Sequence, residues 1–182
     1  MRWLGLTGKL ASGKDTAFIR LHELEGNHIL TRFSFADELR LEIEDTLGTD
    51  LPALWRKPYS ETVRRLLQWW GTDLRRAEDP DYWVRLAIDR ARSSQDIGLL
   101  PVFTDVRFPN EADAIIRAGG LIVRVWAPES VRRERNGGKL PSHESETAMD
   151  EYEHIDYTMT AIADDVIYHR DLRLVLDMVK ST

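Results

Sequence analysis

The nine residues from Gly8 to Thr16, Gly-Lys-Leu-Ala-Ser-Gly-Lys-Asp-Thr, constrain the fold of this chain more than any other stretch. They match the pattern G-x-x-x-x-G-K-[ST] except at its last position, where Asp15 replaces the hydroxyl residue. Glycines let the backbone curl until its N–H groups converge on a polyphosphate, and a following helix N-terminus adds its dipole. That geometry needs a strand before the loop and a helix behind it. Residues 3–7, Trp-Leu-Gly-Leu-Thr, read as a short buried strand, and 14–24 read as a helix. Gly8, Ala11, Ser12, Gly13, Lys14, Asp15 and Thr16 are therefore the expected nucleotide contacts, with Lys14 reaching the outer phosphates.

Beyond the loop, short apolar runs alternate with helical patterns, which points to an α/β fold with a parallel sheet covered by helices. The further strands are expected at 28–33, 99–104, 121–126 and 165–168. Helices are expected at 37–47, 60–76, 82–93, 110–118, 129–135 and 171–179. The stretch 37–94 is too long for an ordinary connection between strands and reads as a mainly helical insertion. A second irregular stretch, 129–150, carries Arg132, Arg133 and Arg135 and then Gly137-Gly138-Lys139, and reads as a lid on a glycine hinge. One domain spanning 1–182 accommodates both appendages.

Composition narrows the function classes. The chain has 25 basic and 31 acidic residues, a net charge of −6, so bulk charge does not suggest a nucleic-acid polymer as partner. It has no cysteine, which excludes disulfides, thiolate metal sites and cysteine nucleophiles. No apolar run approaches the roughly 20 residues that span a bilayer. The N-terminus runs directly into strand and loop, with no recognisable signal peptide, so a cytoplasmic enzyme without membrane partners is expected.

Three clusters carry chemistry. Asp105 ends an apolar strand, where a carboxylate beside a phosphate loop meets a magnesium ion, and Arg107 follows on the same side of an extended chain as a phosphate clamp. Asn110 and Glu111 suit a helix cap and first turn. Leu66 to Arg76 contains Trp69-Trp70 and Arg75-Arg76. The tryptophans suit either a core face or a stacking platform for a base, with an arginine on its phosphate. Arg132 lies nearest the rigid strand and is the arginine expected to stabilise charge during transfer. Ser142, His143, Glu144 and Glu146 lack any metal-ligand framework and read as a closing or capping network. No Ser-His-Asp arrangement is present for hydrolysis.

Together, 8–16, Phe33-Ser34-Phe35-Ala36-Asp37, Gln68-Trp69-Trp70-Gly71-Thr72-Asp73-Leu74-Arg75 and Asp105-Val106-Arg107-Phe108-Pro109-Asn110-Glu111 resemble bacteriophage deoxynucleoside monophosphate kinases. These belong to the phosphate-loop nucleoside monophosphate kinase superfamily. His143-Glu144-Ser145-Glu146 and the end of the chain extend the resemblance over nearly its whole length. The resemblance implies a three-layer phosphate-loop kinase fold with a five-stranded parallel sheet, ATP and Mg2+ as donor and ion, and a host-cytoplasmic setting. It implies that Phe35, Ala36, Asp37, Trp69, Trp70, Asp73, Arg75 and Glu146 line the acceptor pocket, with Arg107 on its phosphate. It also places Arg132 in the lid and a loop around His169 to Asp171 near adenine. Asp15 and Thr16, with Asp105, are the expected magnesium ligands.

Dephospho-coenzyme A kinase is a related alternative with another acceptor. A guanine-nucleotide switch would need an N-K-x-D reader, yet Asn27, Asn110 and Asn136 precede His28, Glu111 and Gly137. Homodimerisation stays open.

Overall fold

The structure is a computed structural model that describes residues 1–56, 59–138, 140, 146–161 and 165–181. Five strands form one sheet: β1 (Leu4–Thr7), β2 (Leu30–Phe33), β3 (Leu100–Val106), β4 (Leu121–Trp126) and β5 (Tyr157–Thr160). Their order is β2-β3-β1-β4-β5, every pair parallel. All four β1 residues are buried, as expected of a central strand with helices on both faces. The core around it is built from Leu6, Val102, Phe103, Ile122 and Val123.

The helices are α1 (Lys14–Glu25), α2 (Phe35–Leu47), α3 (Glu61–Gln68), α4 (Tyr82–Asp96), α5 (Pro109–Arg117), α6 (Glu129–Arg135) and α7 (Asp165–Lys180). A short 3-10 turn spans Pro52–Leu54, and a π-helical segment spans Trp69–Arg76. The parallel sheet flanked by helices is the architecture expected from the sequence.

Two elements differ from expectation. The stretch 165–168 is not a strand but the start of α7, and the fifth strand lies earlier, at Tyr157–Thr160. Only Met159 of that strand is fully buried, so it gives a weak apolar signal at the sheet's edge. The run Asp-Val-Ile-Tyr instead leads into a helix that buries Leu172, Val175, Leu176 and Val179 at helical spacing, with no turn residue between.

The helix expected over 60–76 changes character at Trp69. Gly71 sits so close to α2 that a β-carbon there would come within 2.9 Å of Leu39. Its carbonyl accepts the Trp83 indole N–H at 2.9 Å. The wider π turn accompanies both contacts. Leu39, Ile43, Leu54 and Trp83 form a second small core inside the stretch between β2 and β3. Among the described residues, no helix is long and apolar enough to cross a membrane.

Candidate active site

The loop between β1 and α1 has the backbone of an anion cradle. Gly8, Ala11 and Gly13 all have positive φ, at 137°, 60° and 106°. A side chain at Gly8 would put its β-carbon 2.2 Å from the Val125 carbonyl oxygen, so only glycine fits there. Gly13 leads directly into α1, whose first N–H groups point back at the loop. Lys14 curls over the cradle, donating to the carbonyls of Gly8 and of Lys9, the latter at 3.1 Å. Burial, reinforced by the positive charge of Arg107, lowers the Lys14 ammonium to about 8, while Glu146, Asp15 and Asp105 oppose the shift. Among the described residues, no carboxylate is hydrogen-bonded to the ammonium, whose partners are the two carbonyls.

A cavity of about 900 Å³ runs from this loop to the helical insertion. Leu10 to Thr16 line one end. At the other end stand Phe35, Leu39, Leu67 and Trp83 as apolar walls, with Arg32, Arg40, Arg64 and Arg76 among the polar ones. Arg107 lies between, its Nη1 donating to Glu146 Oε1 at 2.5 Å. The other Glu146 oxygen accepts the Leu10 N–H at 2.7 Å, so one carboxylate ties the loop to Arg107. Phe35, Ala36, Arg107 and Glu146 thus all reach the cavity, as do Asp15 and Thr16.

Other expected contacts are elsewhere. Trp69, Trp70, Asp73 and Arg75 face away from the cavity, because its boundary takes Gln68, Gly71, Thr72 and Arg76 from the opposite side of the same helical run. Trp69 is 52% exposed and meets Trp70 edge-on. Trp70 and Arg75 serve as fasteners: Glu42 of α2 accepts the Trp70 indole N–H at 2.8 Å and Arg75 Nε at 2.7 Å. The Tyr82 hydroxyl donates to its second oxygen at 2.5 Å. Burial pushes the Glu42 carboxyl up, but these three donors outweigh it and hold it below its ordinary range. Asp37 is likewise spent, bridging Arg40 at 2.5 Å and Arg32 at 3.1 Å.

Asp105, expected beside the metal, lines the same cavity as Asp15 and Thr16, and its carboxylate also caps α2. Its carboxylate accepts Ser34 Oγ at 2.6 Å and the N–H groups of Phe35 and Ala36 at 2.9 and 3.0 Å. Three of its about four lone-pair positions are used, which favours a cap over direct coordination. Among the described residues, no group of three or more His, Asp or Glu side chains is placed to hold a metal ion. Asp15 is exposed in the first turn of α1 with Thr16 beside it, and both line the cavity. One carboxylate and one hydroxyl suit an ion such as Mg2+, which keeps most of its oxygens from water and phosphate.

The arginine hydrogen-bonded to the loop is Arg135, not Arg132. Arg135 Nη1 reaches the Ala11 and Ser12 carbonyls at 3.3 and 3.4 Å, and Nη2 reaches that of Ala161 at 2.9 Å. Arg132 starts nearer the strand but turns back, its Nε donating to the Ala127 carbonyl at 3.2 Å. It lines a smaller cavity of about 390 Å³ on the other side of the loop, which also touches Gly8. The two arginines lie on neighbouring parts of one face of α6, and it is Arg135, one turn further along at the helix's end, whose guanidinium meets the loop carbonyls.

His169 and Asp171 are in α7, not in a loop, because that helix begins at Asp165. Asp171 is buried, accepting the Tyr157 hydroxyl at 2.8 Å and the Thr160 N–H at 3.2 Å, and so anchors α7 to β5. Its neighbour Tyr168 lines the cavity with Arg20 and Asn136. Burial raises the Tyr168 hydroxyl, although Arg20 and Arg135 oppose it, so the phenol stays protonated. No sequence signal distinguished Tyr168 from the apolar run around it.

Asn110 is inside α5 rather than capping it, and its amide donates to the Pro80 carbonyl and to Asp81, both at 2.8 Å. Glu111 occupies the first turn as expected, accepting the N–H groups of Arg107 and Phe108 at 2.7 and 3.1 Å. It also pairs with Arg76, which lies over the Phe108 ring. Burial pushes the Glu111 carboxyl up to about 7, against the pull of Arg76. Lys139, Ser142, His143 and Glu144 lie outside the described residues.

No known family profile matches the chain. A curated protein similar to it is the uncharacterised ORF77 of Ictalurid herpesvirus 1 (strain Auburn), 29% identical over 150 residues. The match covers 82% of this chain and 59% of that protein, so the chain spans well under two thirds of its relative. Among solved structures, a gluconokinase from Sinorhizobium meliloti 1021 is 16% identical with a TM-score of 0.54, over 98% of this chain and 94% of its own. The APS kinase of Mycobacterium tuberculosis, solved with AMPPNP and APS, is 17% identical with a TM-score of 0.54, over 99% and 98%. A shikimate kinase from Bacteroides thetaiotaomicron is 12% identical with a TM-score of 0.51, over 99% of both chains. At such identities the likeness is one of fold: the chain has the fold of phosphate-loop kinases.

Proposed function

We propose that this chain is a kinase that transfers the γ-phosphoryl group of ATP to a deoxynucleoside 5'-monophosphate, giving the diphosphate and ADP. The observation that carries the reading is the single cavity joining Leu10–Thr16 to a lobe with apolar walls and arginines beneath the insertion. One end suits a polyphosphate, and the other suits a flat ring joined to an anion. Solved proteins of the same fold bear the names of kinases acting on small molecules, which supports transfer between two small substrates. The quoted kinase-like motifs favour a nucleotide as acceptor.

The acceptor phosphate has a second pKa of about 6 and is largely dianionic at neutral pH, so no strong general base is required. One of its oxygens attacks the γ-phosphorus. The new P–O bond forms as the bond to the β,γ-bridging oxygen breaks, and ADP departs with that electron pair. This chain's residues align and neutralise. The loop N–H groups and Lys14 take the donor's phosphates, and Arg107, fixed by Glu146, takes the acceptor's. Arg135 and Tyr168 border the donor end, with the 129–150 segment in the role of a lid. Asp15 and Thr16 are the residues that would hold Mg2+, which when bound neutralises charge on the transferred group.

Replacing Arg107 tests this division of labour. Arg107→Ala is expected to raise the monophosphate KM at least tenfold while changing the ATP Kd less than threefold (roughly the loss of one charge-assisted bond). Equal losses of both affinities would contradict the assignment.

A further inference from the structure

The cavity side of the insertion carries polar groups that phosphoryl transfer does not use. Arg64, Gln68 and Thr72 follow one another at four-residue spacing across α3 and the π segment, and all three line the cavity. Each is half-buried, and no hydrogen bond or ion pair joins its side chain to another described residue. The opposite side of the same helical run is different, since Trp70 and Arg75 are fully engaged with Glu42. A half-buried amide without a protein partner is costly unless water or a ligand completes it. Around this stripe the walls are flat or apolar: Phe35, Leu39 and Trp83 are each less than 8% exposed. A slot with apolar walls and a polar edge fits a planar heteroaromatic ring whose edge needs hydrogen bonds.

Resting on the kinase reading above, we propose that Gln68, assisted by Thr72, reads the hydrogen-bonding edge of the acceptor's nucleobase and sets which bases are phosphorylated. A carboxamide presents a donor and an acceptor side by side, and turning it over reverses their order. It therefore matches any base edge that places a donor next to an acceptor. Thymine offers its imide N–H beside a carbonyl, guanine N1–H beside O6, and cytosine and adenine an amino group beside a ring nitrogen. Gln68 makes the site tolerant of several bases while rejecting rings that lack such an edge. Thr72, whose hydroxyl both donates and accepts, adjusts to either orientation.

Steady-state kinetics with dTMP, dGMP, dCMP and dAMP, using saturating ATP, test this with the whole chain. Gln68→Met, apolar and similar in length, is expected to raise the KM of every accepted base roughly 10- to 100-fold with a smaller change in kcat and an unchanged ATP Kd. Gln68→Glu presents acceptors only. It suits the two adjacent donors of guanine, N1–H and the 2-amino group, and sets a carboxylate oxygen against a thymine carbonyl. The ratio of kcat/KM for dGMP to that for dTMP should rise tenfold or more relative to the parent protein. A Gln68→Glu protein with an unchanged base ranking, or a Gln68→Met protein with unchanged KM values, would overturn the inference while leaving the kinase reading intact. Absence of turnover with every monophosphate in the parent protein would overturn both.

Discussion

Lys14 shows how one residue's environment becomes a measurable binding property. Its ammonium sits near pKa 8 because burial and Arg107 disfavour the charge. A bound polyphosphate favours the charged form and lifts that value. Between the two values, binding takes up a proton, and affinity falls as pH rises beyond about 8, by up to about tenfold per pH unit. Calorimetric titration of ATP at pH 8.5, in buffers of different ionisation enthalpy, should report this uptake, and Lys14→Met should abolish it. A parent protein whose observed enthalpy is buffer-independent would refute the proton linkage. Lys14 itself was legible because its loop has a rigid spacing pattern. That Arg135 rather than Arg132 bonds the loop carbonyls depends on the path of α6, which a cluster of three arginines in four residues conceals.

At the scale of elements, the Trp-Trp/arginine stretch changes meaning. Its composition suited a base platform, yet Trp70 and Arg75 close on Glu42 and lash α2 to the π segment. The Tyr82 hydroxyl brings the start of α4 into the same clasp. Glu42→Ala would leave those donors without their common acceptor, costing about 1–3 kcal/mol. Its Tm should drop by several degrees while KM for both substrates stays within about twofold; the opposite pattern, a raised KM at normal Tm, would restore this stretch to the pocket. The Glu42 carboxyl is held below its ordinary range, so its contribution is complete above the unfolded pKa and is lost as pH falls through the folded one. Strands β1 to β4 and most helices were legible from apolar period and turn residues. The register at the π segment was not, because it depends on Gly71 meeting Leu39 and Trp83 from distant parts of the chain. The edge strand β5 was missed for a related reason: its burial is too slight to leave a pattern.

Over the whole molecule, the sheet order puts β3 and β1 side by side, so their C-terminal ends bring Arg107 and the phosphate loop to one cavity. That convergence is a topological fact that spacing in the sequence suggested and the strand order explains. Asp105 contributes indirectly, by locking the start of α2 to the end of β3 and so presenting Phe35 and Ala36 to the cavity. On the proposed reading, the acceptor lobe and the donor cradle are two ends of one space. The fate of the phosphoryl group tests this. With ATP labelled at the γ-position, Mg2+ and a deoxynucleoside monophosphate, label is expected in the β-phosphate of the deoxynucleoside diphosphate, with ADP formed in equal amount. Label released as inorganic phosphate at a rate independent of the monophosphate would contradict it.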